Sequence, residues 1–260
     1  MSGDHEHLTA AVVEPLLRGR FGRPYLWSES CVSTQDVLRG SGLPEGAVAV
    51  TEHQTSGRGR EGRPWQDVAG KALLLSLLLR PPGDLPTQQF ALVAGLAAAE
   101  AVEERRDAAG IKWPNDVLLQ GRKVAGVLLE SSGGGEVVCG IGINVAQDDG
   151  ELPAGTPVPA ASLVSVTGTA PDRAALLASL LEILEHRYDA WCRSGLAAML
   201  DELEARNVLR GQRVEVGGQR GVAGTIASDG RLTLVRDDGT FTLVGSGEVS
   251  PARARSRSDL

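Results

Sequence analysis

Residues Ala47 to Leu79 read A-V-A-V-T-E-H-Q-T-S-G-R-G-R-E-G-R-P-W-Q-D-V-A-G-K-A-L-L-L-S-L-L-L. The first five residues and the last eight are nearly continuous apolar runs of strand length, and the second run is the kind that a core covers on both faces. Between them Thr51 to Trp65 form a short, glycine-rich, cationic loop. Gly57, Gly59 and Gly62 let backbone approach a ligand closely and turn amides inward, while Arg58, Arg60 and Arg63 present forked donors that suit carboxylate and phosphate. Taken alone, the loop fits an anion clamp and a basic R-G turn that binds nucleic acid equally well.

Working outward, Leu8 to Leu17 is a short amphipathic stretch in an extension of residues 1–24. Tyr25-Leu26-Trp27 reads as a first strand, and Ser33 or Thr34 supplies a hydroxyl to cap the helix that follows. Gln88 to Arg106 is an alanine-rich helix. Ile111 to Leu119 bends at Pro114, and Gln120-Gly121-Arg122 turns the chain back into Val124–Leu129 as a hairpin. Val137 to Val145 is another interior strand. Asp148 to Pro171, rich in Pro, Gly and acidic residues, reads as an irregular surface connection. Leu176, Leu177, Leu180, Leu181, Leu184 and Tyr188 form a helical core stripe, and a second helix spans Leu196 to Asn207. From Gly211 four short alternating strands suggest a small barrel. The expected division is a catalytic unit at 25–208, a terminal barrel at 209–250 and a disordered tail at 251–260.

At 260 residues and 42% hydrophobic content the chain is long enough for a full core. It has no apolar run of spanning length and no compact leader, so a cytoplasmic protein without membrane attachment is expected. Cys31, Cys139 and Cys192 lack C-x-x-C spacing and read as buried thiols. A net charge of -7 argues against broad nucleic-acid affinity. Gly70-Lys71 resembles the end of a P-loop, but Trp65 and Ala72 occupy positions that need Gly and Ser or Thr. Gly140-Ile141-Gly142 lacks the rest of a dinucleotide unit. Four scattered histidines offer no metal cluster, so no protein metal ligand is assigned, and G-x-S-x-G is absent. Polar groups do recur where apolar runs begin or end: Ser33, Thr34, Gln54, Arg58, Arg60, Lys112, Asn115, Lys123 and Asn144.

Four segments in order, Gly57–Trp65, Lys112-Trp113-Pro114-Asn115-Asp116, Lys123–Glu130 and Gly140–Val145, together resemble the biotin protein ligases. The resemblance spans about Leu26 to Val249. It implies an α+β fold, with a mixed sheet related to the class II aminoacyl-tRNA synthetase core and a C-terminal SH3-like barrel. It also implies activation of biotin by Mg-ATP to biotinyl-5'-AMP with release of pyrophosphate, then transfer to a lysine of a biotin carboxyl carrier domain. By motif, Ser33, Thr34, Gln35 and Gln54 face the ureido ring, and Gly57, Gly59, Gly126, Leu128 and Gly140 line the biotin pocket. Arg58, Arg60 and Lys123 serve biotin carboxylate and α-phosphate as the catalytic cations. Trp65, Asn115 and Asn144 take adenine, with Arg63 and Lys112 toward the phosphates.

Gln35 departs from the family's Ser-Thr-Asn. The residues before Tyr25 are too few for the helix-turn-helix of members that repress transcription, so DNA binding is not expected. Some relatives pair through a sheet edge, which leaves a homodimer open. A lipoate or octanoate ligase or transferase is the alternative within the related core. A nucleic-acid binder is the alternative outside it.

Overall fold

A computed structural model describes residues 7–83, 85–103 and 108–251, with side chains at 132 and 133 excluded. Of the disordered tail expected at 251–260, Pro251 instead ends a strand paired with Val214; residues 252–260 and the predicted end of the alanine-rich helix at Arg106 lie outside the described residues. The elements in chain order are α1 (Ala10–Val13), β1 (Tyr25–Cys31), α2 (Thr34–Leu38), β2 (Val48–Gln54), β3 (Ala72–Leu79), α3 (Phe90–Val102), β4 (Gly110–Lys112), β5 (Asp116–Leu119), β6 (Arg122–Gly133), β7 (Glu136–Asn144), α4 (Leu163–Thr167), α5 (Arg173–Ser194) and α6 (Leu200–Arg206). The C-terminal strands are β8 (Arg213–Val216), β9 (Gln219–Ile226), β10 (Leu232–Val235), β11 (Phe241–Val244) and β12 (Val249–Pro251).

Seven strands form a mixed sheet in the order β1-β2-β3-β7-β6-β5-β4, with β1 parallel to β2 and the remaining pairs antiparallel. Every residue of β3 is buried, as its unbroken leucines require of a strand covered on both faces. Successive side chains alternate faces. Leu73, Leu75, Leu77 and Leu79 therefore join the large core with α3 and α5, while Leu78 packs with Leu38 of α2, Ala47, Ala49 and Val138 on the opposite face. Ser76, on that second face, shares a 2.8 Å hydrogen bond with Thr34.

Several elements depart from the sequence expectation. Ser33 precedes α2, but its side chain makes no cap bond, and the Thr34 hydroxyl is held by Ser76 and Gln54 instead. The Asp148–Pro171 stretch contains α4, capped by Ser162, whose Oγ accepts from the Ser165 amide. Only Cys139 is fully buried, and desolvation pushes its thiol far above the usual range; Cys31 and Cys192 are half-buried. The C-terminal strands are ordered β11-β10-β9-β8-β12, so β11 and β12 are unjoined edges of an open antiparallel sheet, not a closed barrel. The Gly245–Gly247 connection carries the chain across to pair β12 with β8, and Phe241 on the other edge stands 70% exposed.

The leading segment packs into the main core through Leu8, Val13, Leu17 and Phe21. Glu52, 2% exposed, ties it down. Its carboxylate accepts the Leu8 amide at 2.7 Å, Trp27 Nε1 at 3.3 Å and Arg173 at 2.7 Å. Burial opposes this charge, but the Leu8 and Arg173 hydrogen bonds outweigh it and hold the carboxyl below its ordinary value. Such a depressed carboxylate stabilises the fold above its unfolded pKa, and that contribution fades as pH falls through the folded value. Arg173→Met strands the buried charge. It is expected to lower stability by about 3 kcal/mol at neutral pH, read from urea unfolding, with a smaller loss in acid.

Candidate active site

Strand register explains the cavity floor. Directly paired residues project to the same side of a sheet, so Ser76, Gly140 and Leu128 form one cross-strand row and Leu74, Gly142 and Gly126 the next. Both rows lie on the face away from α3 and α5. Three glycines in adjacent strands leave a trough there, and a cavity of about 340 Å³ sits over it. The Trp65 indole lies on this floor. A Cβ at Gly142 would come within 2.5 Å of its ring carbons, and one at Gly126 within 3.2 Å.

Of the residues singled out by sequence, the cavity gathers Ser33, Thr34, Gln35, Gln54, Arg58, Gly59, Arg60, Arg63, Trp65, Lys112, Asn115, Lys123, Gly126, Leu128, Gly140 and Asn144. Gly57 is not among them. It borders a separate, more open recess outside the loop, and its missing Cβ makes room for the Trp65 carbonyl, which would stand 2.7 Å away. The glycine-rich loop is itself a small hairpin. The Trp65 amide donates to Gly57 O at 2.9 Å, the Gly59 amide to Arg63 O at 2.7 Å, and Glu61 and Gly62 at its tip take left-handed φ of 57° and 74°. At its base Asp67 accepts the Gln54 amide and contacts His53 Nδ1 at 2.7 Å.

At one end of the cavity are α2 and the end of β2. Gln54 Oε1 accepts from the Thr34 amide at 2.9 Å, which leaves the Gln54 amide nitrogen as the donating end. Gln35 is buried, donates to Leu128 O at 2.9 Å, and has an Oε1 with no partner. An unpaired buried acceptor beside a donor is costly unless a ligand completes it.

The cations divide into two groups. Arg58 is bound to Asp36 and Glu130, Arg63 to Glu248 at 2.5 Å, and Lys123 to Asp116 at 2.6 Å with its ammonium 5.7 Å above the Trp65 ring. Arg60 and Lys112 have no carboxylate within ion-pair distance among the described residues, and Arg60 donates only to Asn115 Oδ1 at 3.4 Å. Burial depresses the pKa of both. Asp116 and Glu248 attract both from beyond contact distance and offset that burial only in part, so an anion placed against the two cations would be stabilised.

Both amides expected to read adenine are already occupied by the protein itself. Asn115 Nδ2 donates to Val127 O at 2.6 Å, and Asn144 bonds Ala161 O and Gln147. They hold the cavity wall together. Sequence reading missed Glu248, Asp116 and the wall formed by Pro153 to Ala160. That wall is drawn in by backbone bonds between Lys123 and both Pro159 and Ala161. Lys71, at the false P-loop, pairs with Glu151.

The sequence profile of the Biotin/lipoate A/B protein ligase family matches residues 27–148. The biotin--[acetyl-CoA-carboxylase] ligase of Mycobacterium tuberculosis is 38% identical over 217 residues, covering 79% of each chain. This chain belongs to the biotin/lipoate protein ligase family. The family's biotin protein ligase from Aquifex aeolicus, solved in complex with biotin and ATP, superposes with a TM-score of 0.78 at 31% identity, covering 88% of this chain and 98% of that one. The bifunctional ligase/repressor BirA of Bacillus subtilis is 36% identical over 185 residues, and the match covers 67% of this chain but 56% of that protein. No described helix is long and apolar enough to cross a membrane.

Proposed function

We propose that the chain is a biotin protein ligase acting in the cytoplasm on a biotin carboxyl carrier domain, with residues 25–208 as the catalytic unit and 209–250 as a C-terminal unit. The observation that carries the reading is the pair of cations without a direct ion-pair partner, Arg60 and Lys112, on the cavity that Ser33, Gln35 and Gln54 line with hydrogen-bonding groups. In the first step a biotin carboxylate oxygen attacks the α-phosphorus of ATP, and the bond to pyrophosphate breaks. Two anions must meet for this. A unit pair at 4 Å repels by about 4 kcal/mol at an effective dielectric of 20; Arg60 and Lys112 offset that repulsion where it develops, and Lys123 adds a donor while neutralising Asp116. In the second step a neutral acceptor lysine attacks the acyl carbon, AMP departs, the nitrogen loses a proton to solvent and the amide forms.

Trp65 is the stacking surface for adenine. Mg2+ would supply charge neutralisation on the phosphates. Among the described residues no group of three or more His, Cys, Asp or Glu could hold a metal ion, and the cavity wall carries Asp116 and Glu248, so the ion fits best as one carried mainly by the nucleotide. The sheet is read as related to the class II synthetase core.

Pyrophosphate release from purified protein with biotin and ATP, followed by labelling of a carrier domain, tests the reading. Release with lipoate but not biotin would overturn it. Lys112→Met is expected to lower kcat/KM for ATP about 100-fold. It should also change two pH profiles. The unfolded chain binds a proton at Lys112 that the folded chain gives up earlier, so wild-type stability gains with alkaline pH between the lowered value and the ordinary lysine pKa. Nucleotide affinity falls over that same range as the charge is lost. Both trends should flatten in Lys112→Met, measured by thermal shift and by ATP titration across pH.

A further inference from the structure

We propose that Asp36 is a positioning residue: by seating Arg58 it fixes the glycine-rich hairpin to the helix that lines the ring-binding end of the cavity. The inference rests on the function proposed above. Both terminal nitrogens of Arg58 meet the two Asp36 oxygens at 2.8 Å, a bidentate fork, while Nε and one terminal nitrogen reach Glu130 at 3.0 and 3.2 Å. Arg39 closes the cluster on Glu130 and lies 3.8 Å from Asp36. Two arginines against two carboxylates sum to zero. Arg58 therefore offers no surplus charge to a ligand anion, in contrast to Arg60 and Lys112, and its task is mechanical.

Asp36 directly follows the residues that line the ring end. Thr34 is held by Gln54 and Ser76, and Gln35 by Leu128, so the start of α2 is fixed by the cavity itself. The next residue reaches out to the hairpin. Beyond its base, side chains of the hairpin attach to the rest of the molecule through Arg58, through Arg60 to Asn115, and through Arg63 to Glu248. Losing Asp36 removes the fork from the first of these.

The test uses the full chain as wild type, Asp36→Asn, Asp36→Glu, Arg58→Gln and the Asp36→Asn/Arg58→Gln double variant. Three quantities are read: escape of the adenylate intermediate, the first-turnover rate of pyrophosphate release, and trypsin cleavage after Arg58 or Arg60. Asp36→Asn should keep its unfolding midpoint and first-turnover rate but leak intermediate about 5-fold faster, as expected for a well-formed exposed ion pair. Trypsin should cut its hairpin after Arg60 faster in ligand-free protein, and biotin should protect it less than wild type. Asp36→Glu should restore most of the retention, and the double variant should leak no faster than Arg58→Gln alone.

Wild-type leakage and cleavage in Asp36→Asn, or additive effects in the double variant, would overturn the proposal. A wild-type protein that releases no pyrophosphate would instead sink the function proposed above. The ligand-free cleavage comparison would still decide whether Asp36 holds the hairpin.

Discussion

Lys123→Ala is expected to lower the rate of pyrophosphate release by about 1000-fold, the largest effect of any single substitution in the site. Two changes act together. The ammonium that sits 2.6 Å from Asp116 and over the Trp65 ring disappears, and the Asp116 carboxylate is left facing the cavity without its partner. A bare carboxylate there repels the incoming phosphates as well as failing to attract them. Adding Asp116→Asn to Lys123→Ala should therefore recover about 10-fold of the loss. Single-turnover measurements at saturating biotin and ATP check both values. A Lys123→Ala rate within a few-fold of wild type would remove the residue from the chemistry.

Gly142→Ala is expected to raise the KM for ATP by about 10- to 100-fold, the worth of one aromatic stack on a base. Gly142 is pinned between Leu74 and Gly126 on neighbouring strands, so the backbone has little freedom to retreat. An added methyl group would sit 2.5 Å from Trp65 ring carbons, and the indole must move off the floor. Because the indole is the part that yields, the fold should survive. The variant is expected to melt near wild type while losing nucleotide affinity. Combining it with Trp65→Ala should be no worse than Trp65→Ala alone, which a double-mutant cycle in KM would show.

The parts of this molecule that a sequence discloses are those governed by near neighbours in the chain. The leucine run of β3 could only be a strand buried on both sides, and the stripe from Leu176 to Tyr188 could only be a core helix; both are as expected. The pocket residues were legible as a set because polar groups concentrate where the strands end. Their partners were not. Nothing near Arg58 in sequence points to Glu130, 72 residues on, and nothing near Arg63 points to Glu248, 185 residues on. The same blindness explains the Ser33 cap. A hydroxyl before a helix suggests local capping, whereas the Thr34 hydroxyl beside it is taken by Ser76, 42 residues away. Counting arginines in the loop likewise gave three equivalent donors, when folding neutralises Arg58 and Arg63 and leaves Arg60 facing the cavity. Four of the five described C-terminal strands were found from alternation alone and β12 was missed, and whether the edges meet depends on where the connections travel, which alternation does not encode.

The alternation of β6 and β7 carries an implication for redesign. On β6 and β7 the even-numbered positions 126, 128, 140 and 142 line the hollow, while the odd-numbered 125, 127, 139 and 141 join the large core on the opposite face. A library confined to those four positions would remodel which small acid is accepted without disturbing the hydrophobic layer below, so recognition and foldability could be tuned along the same two strands nearly independently.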